Sequence, residues 1–242
     1  DLRIHDGNVF ECLKKMEELR GKVILVNGHF ENHDFVKDIK SQLVESFGLD
    51  RIKLTQFPEG SNNMGIHVRL GDISNNKIAW HRPSPMKYFT NIIDNTYDNL
   101  YCLTDSPDHS MIEELKELYP RMRIIHNDTP SMDMSFLSQC DNIIMSQSTF
   151  AWWAAFLSNA KTIHFPIQGH WQKYSHKSNK KYSMRIGNDS RVFYHETESD
   201  LPKIEYLRVS CARVTSKYIC LFNIFCFFLI MIFCKLKHLN SL

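Results

Sequence analysis

The sequence lacks the features that mark several large classes of protein. Its 242 residues carry 29 Lys and Arg against 27 Asp and Glu, a net charge of only +2, whereas a nucleic-acid-binding protein is expected to show a clustered basic face. The seven cysteines form no C-x-x-C pair, which argues against zinc and redox motifs. The absence of a G-x-S-x-G segment argues against a serine hydrolase of the α/β type. No D-x-D pair occurs either. Such an acidic pair would hold a metal ion, so we expect none in a ligand site of this protein.

Long apolar runs are also absent, except near the C-terminus. The chain begins at Asp1 without a charged and then apolar leader, so no signal peptide is predicted. Residues 218–234 (YICLFNIFCFFLIMIFC) are uncharged, but these 17 residues lie at the short edge of the roughly 20 that cross a bilayer. Basic residues follow the run and indicate a cytoplasmic C-terminus. A membrane anchor, a buried apolar helix and a tail from a wrong gene model all remain open.

The composition otherwise fits a folded globular protein. Hydrophobic residues make up 43% of the chain and aromatic residues 12%, which argues against disorder. Cys12, Cys102 and Cys140 lie in the body of the sequence, and the other four cysteines lie after residue 210. The three body cysteines are compatible with free thiols in a core or with one disulfide.

Strand and helix patterns alternate along most of the chain. The helical spacing of apolar residues predicts helices at 9–19 and 35–47, with a strand at 22–28 between them. The alternation then continues with strands at 64–70, 99–105, 122–126, 141–146 and 161–166, and with helices at 85–93, 110–119, 133–140 and 149–157. For the helix at 110–119 we expect Ser106 or Asp108 near the N-cap. The alternation predicts an α/β fold with a mostly parallel sheet, in which ligands bind beyond the carboxyl ends of the strands.

One strand end carries the segment HVRLGD. His67 and Arg69 are two residues apart and so share a face of the strand, Gly71 lets the backbone turn, and Asp72 opens the loop. An arginine fork suits phosphate, and an imidazole adds a directional donor or acceptor. A structural ion pair is the alternative interpretation of this segment. The acidic turn of residues 104–108, after the next strand, is interpreted as turn and capping chemistry.

A second strand end leads into a helix through the segment SQSTFAWWAA. The hydroxyls of Ser148 and Thr149 and the free amides of a helix N-terminus suit a phosphate, and the helix dipole favours it. Trp152 and Trp153 lie inside the helix, so we expect them to pack in the core rather than to stack on a sugar. His29 and His33 are four residues apart, but no third metal ligand is evident near them.

These two strand ends, from separate βαβ units, are suited to grip one diphosphate from two sides. A diphosphate leaving group gains negative charge as a sugar bond breaks. Arg69 and the amides near Ser148 and Thr149 then stabilise the transition state more than the ground state. The sequence therefore predicts a site for a nucleotide-sugar donor.

Three segments in this order resemble glycosyltransferase family 11, the inverting α-1,2-fucosyltransferase family. They are NGHFENHDFVKDIKSQLVESF, GIHVRLGD and SQSTFAWWAAFLSNAKTIHFP, and the resemblance covers residues 26–195. It implies a GT-B-like fold of Rossmann-type parallel sheets with flanking helices and one half incomplete. It also implies donor contacts by His67 and Asp133 at the guanine end, by Arg69 at the phosphates, and by Ser148, Thr149 and Phe150 in the phosphate loop. The resemblance further implies that Asp72 orients the site. Asp72 is also the one carboxylate of these motifs that we can nominate as the catalytic base, and Arg69 is the second residue to which we assign a catalytic role.

The chain also departs from this family. Leu70 stands where the family usually has a second arginine, and the glycine-rich G-G-x-G-N-Q segment is absent. We divide the chain into a partial acceptor-side domain (1–60), a donor-binding domain (61–207) and a tail (208–242).

The expected function is transfer of L-fucose from GDP-fucose to a sugar hydroxyl, mainly the 2-position of a terminal β-galactoside, without a metal or other cofactor. The expected partners are GDP-fucose and a glycan acceptor, and the expected location is the Golgi membrane. An α-1,6 or O-linked fucosyltransferase, or an inactive glycan-binding relative, is the alternative.

Overall fold

A computed structural model describes residues 2–4, 24–26, 32–48, 57–74, 82–168, 184–187 and 189–197. The chain divides into two compact units. The first comprises Asp1–Asn32, Lys180–Tyr182 and Lys203–Leu242. Its described segments are strands β1 (Leu2–Ile4) and β2 (Ile24–Val26), which pair in parallel. Strand β2 lies within the strand predicted at 22–28.

The second unit, His33–Asn179 with Ser183–Pro202, is built on a six-stranded sheet. The strands are β3 (Asn63–Val68), β4 (Asn99–Thr104), β5 (Arg123–Ile125), β6 (Asn142–Ile144), β7 (Thr162–Ile167) and β8 (Val192–Glu196). They lie in the order β5-β4-β3-β6-β7-β8, and every neighbouring pair is parallel. The predicted α/β class with a Rossmann-type parallel sheet is therefore confirmed.

The strand order sets the position of the site. From β3 the chain builds the sheet outward through β4 to β5, and it then returns to the other side of β3 and continues through β6 to β8. The direction of winding reverses between β3 and β6, which creates a crevice between the loops that leave these strands. In doubly wound sheets with this order, ligands bind in that crevice, beyond the carboxyl ends of the strands.

The helices follow the predicted rhythm. Two 3₁₀ turns, His33–Phe35 and Lys37–Ile39, lead into α1 (Lys40–Phe47); the other helices are α2 (Gly71–Ser74), α3 (Met86–Thr90), α4 (Ser110–Leu118), α5 (Pro130–Ser138) and α6 (Thr149–Leu157). Helix α6 has the bounds predicted for it, whereas α5 begins three residues earlier than expected. The helix predicted at 9–19 and the apolar run at 218–234 lie outside the described residues.

The predicted cap of α4 is wrong. His109, rather than Ser106 or Asp108, is the N-cap, and its Nδ1 accepts a hydrogen bond from the main-chain N–H of Met111 at 3.1 Å. The main-chain N–H of His109 donates to the carbonyl of Ser106 at 3.2 Å. Because this turn occupies residues 106–109, the helix begins only after it.

One part of the core lies where α3 and α4 pack against the sheet, and further buried side chains lie on α5 and α6, which pack against each other. Trp152 and Trp153 are buried, as predicted, and the indole N–H of Trp152 donates to the carbonyl of Met184. Gly65 on β3 allows close approach, since an added Cβ would lie 2.6 Å from Sγ of Cys140. Cys102 and Cys140 are buried free thiols, so neither takes part in a disulfide.

The expected membrane span at 218–234, the domain division and the cellular location are not tested by the structure. Within the described parts of the chain, no helix has both the length and the apolar composition to span a membrane. The division into acceptor-side, donor-binding and tail segments stays a prediction, as does the location in the Golgi.

Candidate functional site

The candidate site lies at the carboxyl ends of β3 and β6, where the sheet reverses its winding. The two strands pair from Met64↔Asn142 to Ile66↔Ile144, and the ladder stops there. Beyond it, the hydroxyl of the buried Ser146 joins the two chain segments. Its Oγ lies 2.8 Å from Nδ1 of His67 and accepts from the main-chain N–H of Arg69 at 3.3 Å. This serine therefore fixes the two loops against each other.

His67 is a buried, neutral imidazole. It is only 8% exposed, and burial lowers its pKa from 6.5 to about 4. Nδ1 of His67 and the hydroxyl of Ser146 share one hydrogen bond, and the neutral ring carries a single proton. The ring packs against Phe150, with 5.5 Å between the ring centroids. At neutral pH His67 thus offers a directional hydrogen-bonding ring nitrogen, rather than positive charge.

Arg69 supplies the positive charge. Its Nε and Nη2 bond to the carboxylate of Asp72 on α2, at 3.2 Å and 2.9–3.0 Å. The arginine side chain is 28% exposed, and the aspartate side chain 71%. Asp72 holds one edge of the guanidinium and leaves Nη1 for an anion. Leu70, which replaces the second arginine of the family pattern, is fully buried in the core, so Arg69 is the cation that this segment presents.

The N-terminus of α6 faces the same crevice from β6. Ser148 is its N-cap, with φ −147° and ψ 127°, and the serine side chain makes no capping hydrogen bond. The first amides of a helix have no acceptor within the helix, and the helix dipole makes this end electropositive. Thr149 and Phe150 contribute the first two of these amides. This uncapped end is therefore suited to bind an anion, and the phosphate contact expected there stays a prediction.

Asp133 lies apart from this cluster. It is on α5, after β5, and its Oδ1 accepts hydrogen bonds from the main-chain N–H and the side-chain Nδ2 of Asn127 at 3.1 and 2.8 Å. Strand β5 is separated from β3 by β4, so this loop leaves the sheet about 10 Å from the end of β3. The separation places Asp133 at the same edge of the sheet, within the length of a nucleotide but not in the group formed by His67, Arg69 and Phe150.

The roles of Ser146 and Asp105 were not predicted from the sequence. Asp105 follows β4, and its Oδ1 accepts from the main-chain N–H groups of Leu70 and Gly71 at 2.8 and 3.0 Å. Its side chain was expected to form hydrogen bonds within the turn of residues 104–108, but it accepts hydrogen bonds from the turn that follows the neighbouring strand β3. The only signal in the sequence was its position directly after a strand, which brings it to the same sheet edge as Arg69.

Of the histidine pair noted in the sequence, the structure describes only His33. His33 packs edge-on against Trp152 and Phe156, with ring centroids 6.4 and 5.6 Å apart, and burial lowers its pKa. Its proposed companion, His29, lies outside the described residues. Among the residues that the structure describes, no three His, Cys, Asp or Glu side chains are grouped to hold a metal ion.

Comparisons with known proteins give a family and two relatives. The sequence model of Glycosyl transferase family 11 matches residues 23–186. An alpha-1,2-colitosyltransferase of Escherichia coli is 26% identical over 155 residues, which are 58% of this chain and 53% of that protein. The O-antigen biosynthesis glycosyltransferase WbnK of Escherichia coli is 28% identical over 108 residues, 41% of this chain and 36% of that protein. The chain thus spans about half the length of these relatives or less. No solved structure matches it.

Proposed function

Because this chain belongs to glycosyl transferase family 11, we propose that it carries the donor site of an inverting fucosyltransferase that uses GDP-fucose. The observation that carries the proposal is the placement of two anion-binding groups across one crevice. The guanidinium of Arg69 follows β3, the uncapped N-terminus of α6 follows β6, and Ser146 joins the two loops. A diphosphate is the part of a donor substrate that such a pair of groups fits best.

The same two groups suit the chemistry of sugar transfer. The bond between the anomeric carbon and the diphosphate breaks, and its electron pair passes to the phosphate oxygen. The acceptor hydroxyl attacks from the opposite face, and its proton passes to solvent water as the new C–O bond forms. Negative charge on the leaving phosphate is greatest in the transition state and the product. A preorganised donor at such a charge contributes about 3–4 kcal/mol to the rate in measured cases. Arg69 Nη1 and the first amides of α6 are the donors in our proposal.

Asp72 has an orienting role in this proposal. Both of its carboxylate oxygens bond to Arg69, so they are engaged in holding the guanidinium. In this proposal His67, a neutral imidazole packed against Phe150, takes part in binding the donor nucleotide. Asp133, about two strand spacings or 10 Å away along the sheet edge, is assigned to the guanine end because a nucleotide reaches that distance from its diphosphate.

The donor sugar and the acceptor are a separate question. One relative is named an alpha-1,2-colitosyltransferase, and this name supports transfer to a 2-position in the present chain as well. It also favours a second candidate function, transfer of colitose rather than fucose. Incubation of the chain with each activated sugar and a β-galactoside, followed by mass spectrometry of the product, distinguishes the two candidates.

The proposal further includes metal independence and a Golgi membrane location. Arg69 and the α6 dipole supply positive charge to the diphosphate, so we expect transfer to persist in EDTA. A loss of activity in EDTA that magnesium or manganese restores contradicts this part. The location is tested by imaging the full-length protein, with the Golgi as the expected site and any other compartment as the contradicting result.

Calorimetric titration with GDP tests the donor site. Charge-assisted hydrogen bonds contribute about 1.5–3 kcal/mol, so Arg69→Ala should weaken GDP binding by roughly 10- to 150-fold. Arg121→Ala is the matched control, because Arg121 precedes β5 at the opposite edge of the sheet, and it should bind like wild type. Equal affinities for wild type and Arg69→Ala contradict the proposed site.

A further inference from the structure

Three consecutive main-chain N–H groups at the end of β3 already have side-chain acceptors. The N–H of Arg69 donates to Ser146 Oγ at 3.3 Å, and those of Leu70 and Gly71 donate to Asp105 Oδ1 at 2.8 and 3.0 Å. In other nucleotide-binding sheets, the turn after the corresponding strand points its amides at the phosphates of the ligand. In this chain a carboxylate of the protein takes that place.

The fit of this carboxylate is tight. A Cβ on Gly71 would lie 2.9 Å from Oδ2 and 3.2 Å from Cγ of Asp105. Gly71 is not among the glycines with positive φ, so the backbone conformation does not require glycine at this position. The close approach of Asp105 does require it. Residues 69–72 and Asp105, which lies 34 residues after Gly71, thus pack together as one unit.

We propose that Asp105 is a positioning residue of the donor site, whose carboxylate fills the amide turn after β3, excludes phosphate from it and fixes the turn that carries Arg69. The diphosphate then meets the side chain of Arg69 and the N-terminus of α6 instead of the amides of this turn. The inference rests on the proposed function only in taking a nucleoside diphosphate as the ligand. The hydrogen bonds of the turn stand independently of that function.

The charges of the site agree with this assignment. Asp72 and Asp105 both lie at the Arg69 turn, so the turn by itself carries two carboxylates and one guanidinium. A phosphate is therefore not drawn to the turn as a whole. It is drawn to Nη1 of Arg69 and to the α6 end, the parts that no carboxylate of the described residues occupies. Removal of Asp105 both loosens the turn and exposes its amides to an external anion.

The first test is GDP titration of Asp105 variants. Asp105→Ala should weaken GDP binding about tenfold, which corresponds to about 1.4 kcal/mol. Asp105→Asn keeps a side-chain oxygen for the two amides and should stay within about threefold of wild type, or about 0.7 kcal/mol. Formate, a free carboxylate small enough for the vacated turn, should restore part of the affinity of Asp105→Ala and leave Arg69→Ala unchanged. Wild-type affinity in Asp105→Ala, an equal loss in Asp105→Asn, or no effect of formate overturns the proposal.

The second test does not require GDP. In proton–nitrogen NMR spectra, the amide resonances of Leu70 and Gly71 should shift upfield in Asp105→Ala and return toward their wild-type positions as formate is added. If wild type fails to bind GDP while these shifts occur, the proposed function fails and the role of Asp105 in the turn stands. If GDP binds but the two resonances do not respond, the inference about Asp105 fails. Should Asp105→Ala not fold, Gly71→Ala, whose methyl group presses on the carboxylate, should weaken GDP binding; unchanged binding overturns the proposal.

Discussion

The buried imidazole of His67 should make the stability of the protein depend on pH. Burial lowers its folded-state pKa from 6.5 to about 4. Between these two pH values the imidazole is therefore mostly protonated in the unfolded chain and mostly neutral in the folded chain. The stabilisation is fully present above pH 6.5 and is lost as the pH falls through 6.5 toward 4. Each pKa unit corresponds to about 1.4 kcal/mol. Between pH 7 and pH 4.5 the protonation of the unfolded state should therefore remove about 2.5 kcal/mol from the free energy of unfolding.

The assay is urea denaturation of wild type and His67→Asn at pH 7 and pH 4.5. Asparagine places an amide where Nδ1 of the histidine lies, so Ser146 keeps a partner, but asparagine does not titrate. Burial also lowers the pKa of His164 to about 4, and that contribution cancels because both proteins contain His164. The difference in unfolding free energy between wild type and variant should fall by about 2.5 kcal/mol at the lower pH. A difference that is the same at both pH values refutes the account of His67 as a buried neutral group.

Three other substitutions test the packing of the site and its support. Ser146→Ala leaves two buried partners unpaired and should lower the free energy of unfolding, measured by urea denaturation, by about 2–3 kcal/mol. The control Ser138→Ala loses one local hydrogen bond and should lower it by about 1 kcal/mol. Equal losses in the two variants contradict the bridging role of Ser146. Gly65→Ala should lower the free energy of unfolding by about 1–3 kcal/mol, because the added methyl group overpacks the core. The double variant Gly65→Ala, Cys140→Ala should recover part of this loss, and no recovery would mean that the clash is with another residue. Trp152→Phe should lose about 1 kcal/mol with its N–H donor, and an unchanged midpoint argues against that hydrogen bond.

The regular elements could be predicted because their signals are local. Helix α6 was predicted to its end residues, since its apolar run directly follows a hydroxyl-rich segment. In the structure Ser158 adopts an extended backbone immediately after the helix. Strands β3 and β4 are short apolar segments bounded by polar residues, and both lie where predicted. Helix α5 begins earlier than expected because Thr129 caps it and Pro130 occupies its first turn; a threonine followed by a proline is a local start signal.

The features that were missed depend on contacts between distant residues. Strand β8 was not predicted, because it lies at the edge of the sheet and leaves Phe193 49% exposed, so it has no regular alternation of buried and exposed positions. Ser146 lies 79 residues from His67, and Asp105 lies 35 from Leu70. These pairs meet only because β4 and β6 flank β3. The residue types at the site could be read from the sequence, but their partners required the strand order.

The central claim is that the crevice between β3 and β6 binds the diphosphate of a sugar donor. A crystal structure of the chain with GDP tests this claim most directly. We predict phosphate oxygens within hydrogen-bond distance of Nη1 of Arg69 and of the amides of Thr149 and Phe150, with Asp105 still bonded to the turn after β3. Phosphates bound at another edge of the sheet, or at the amides of Leu70 and Gly71, contradict it.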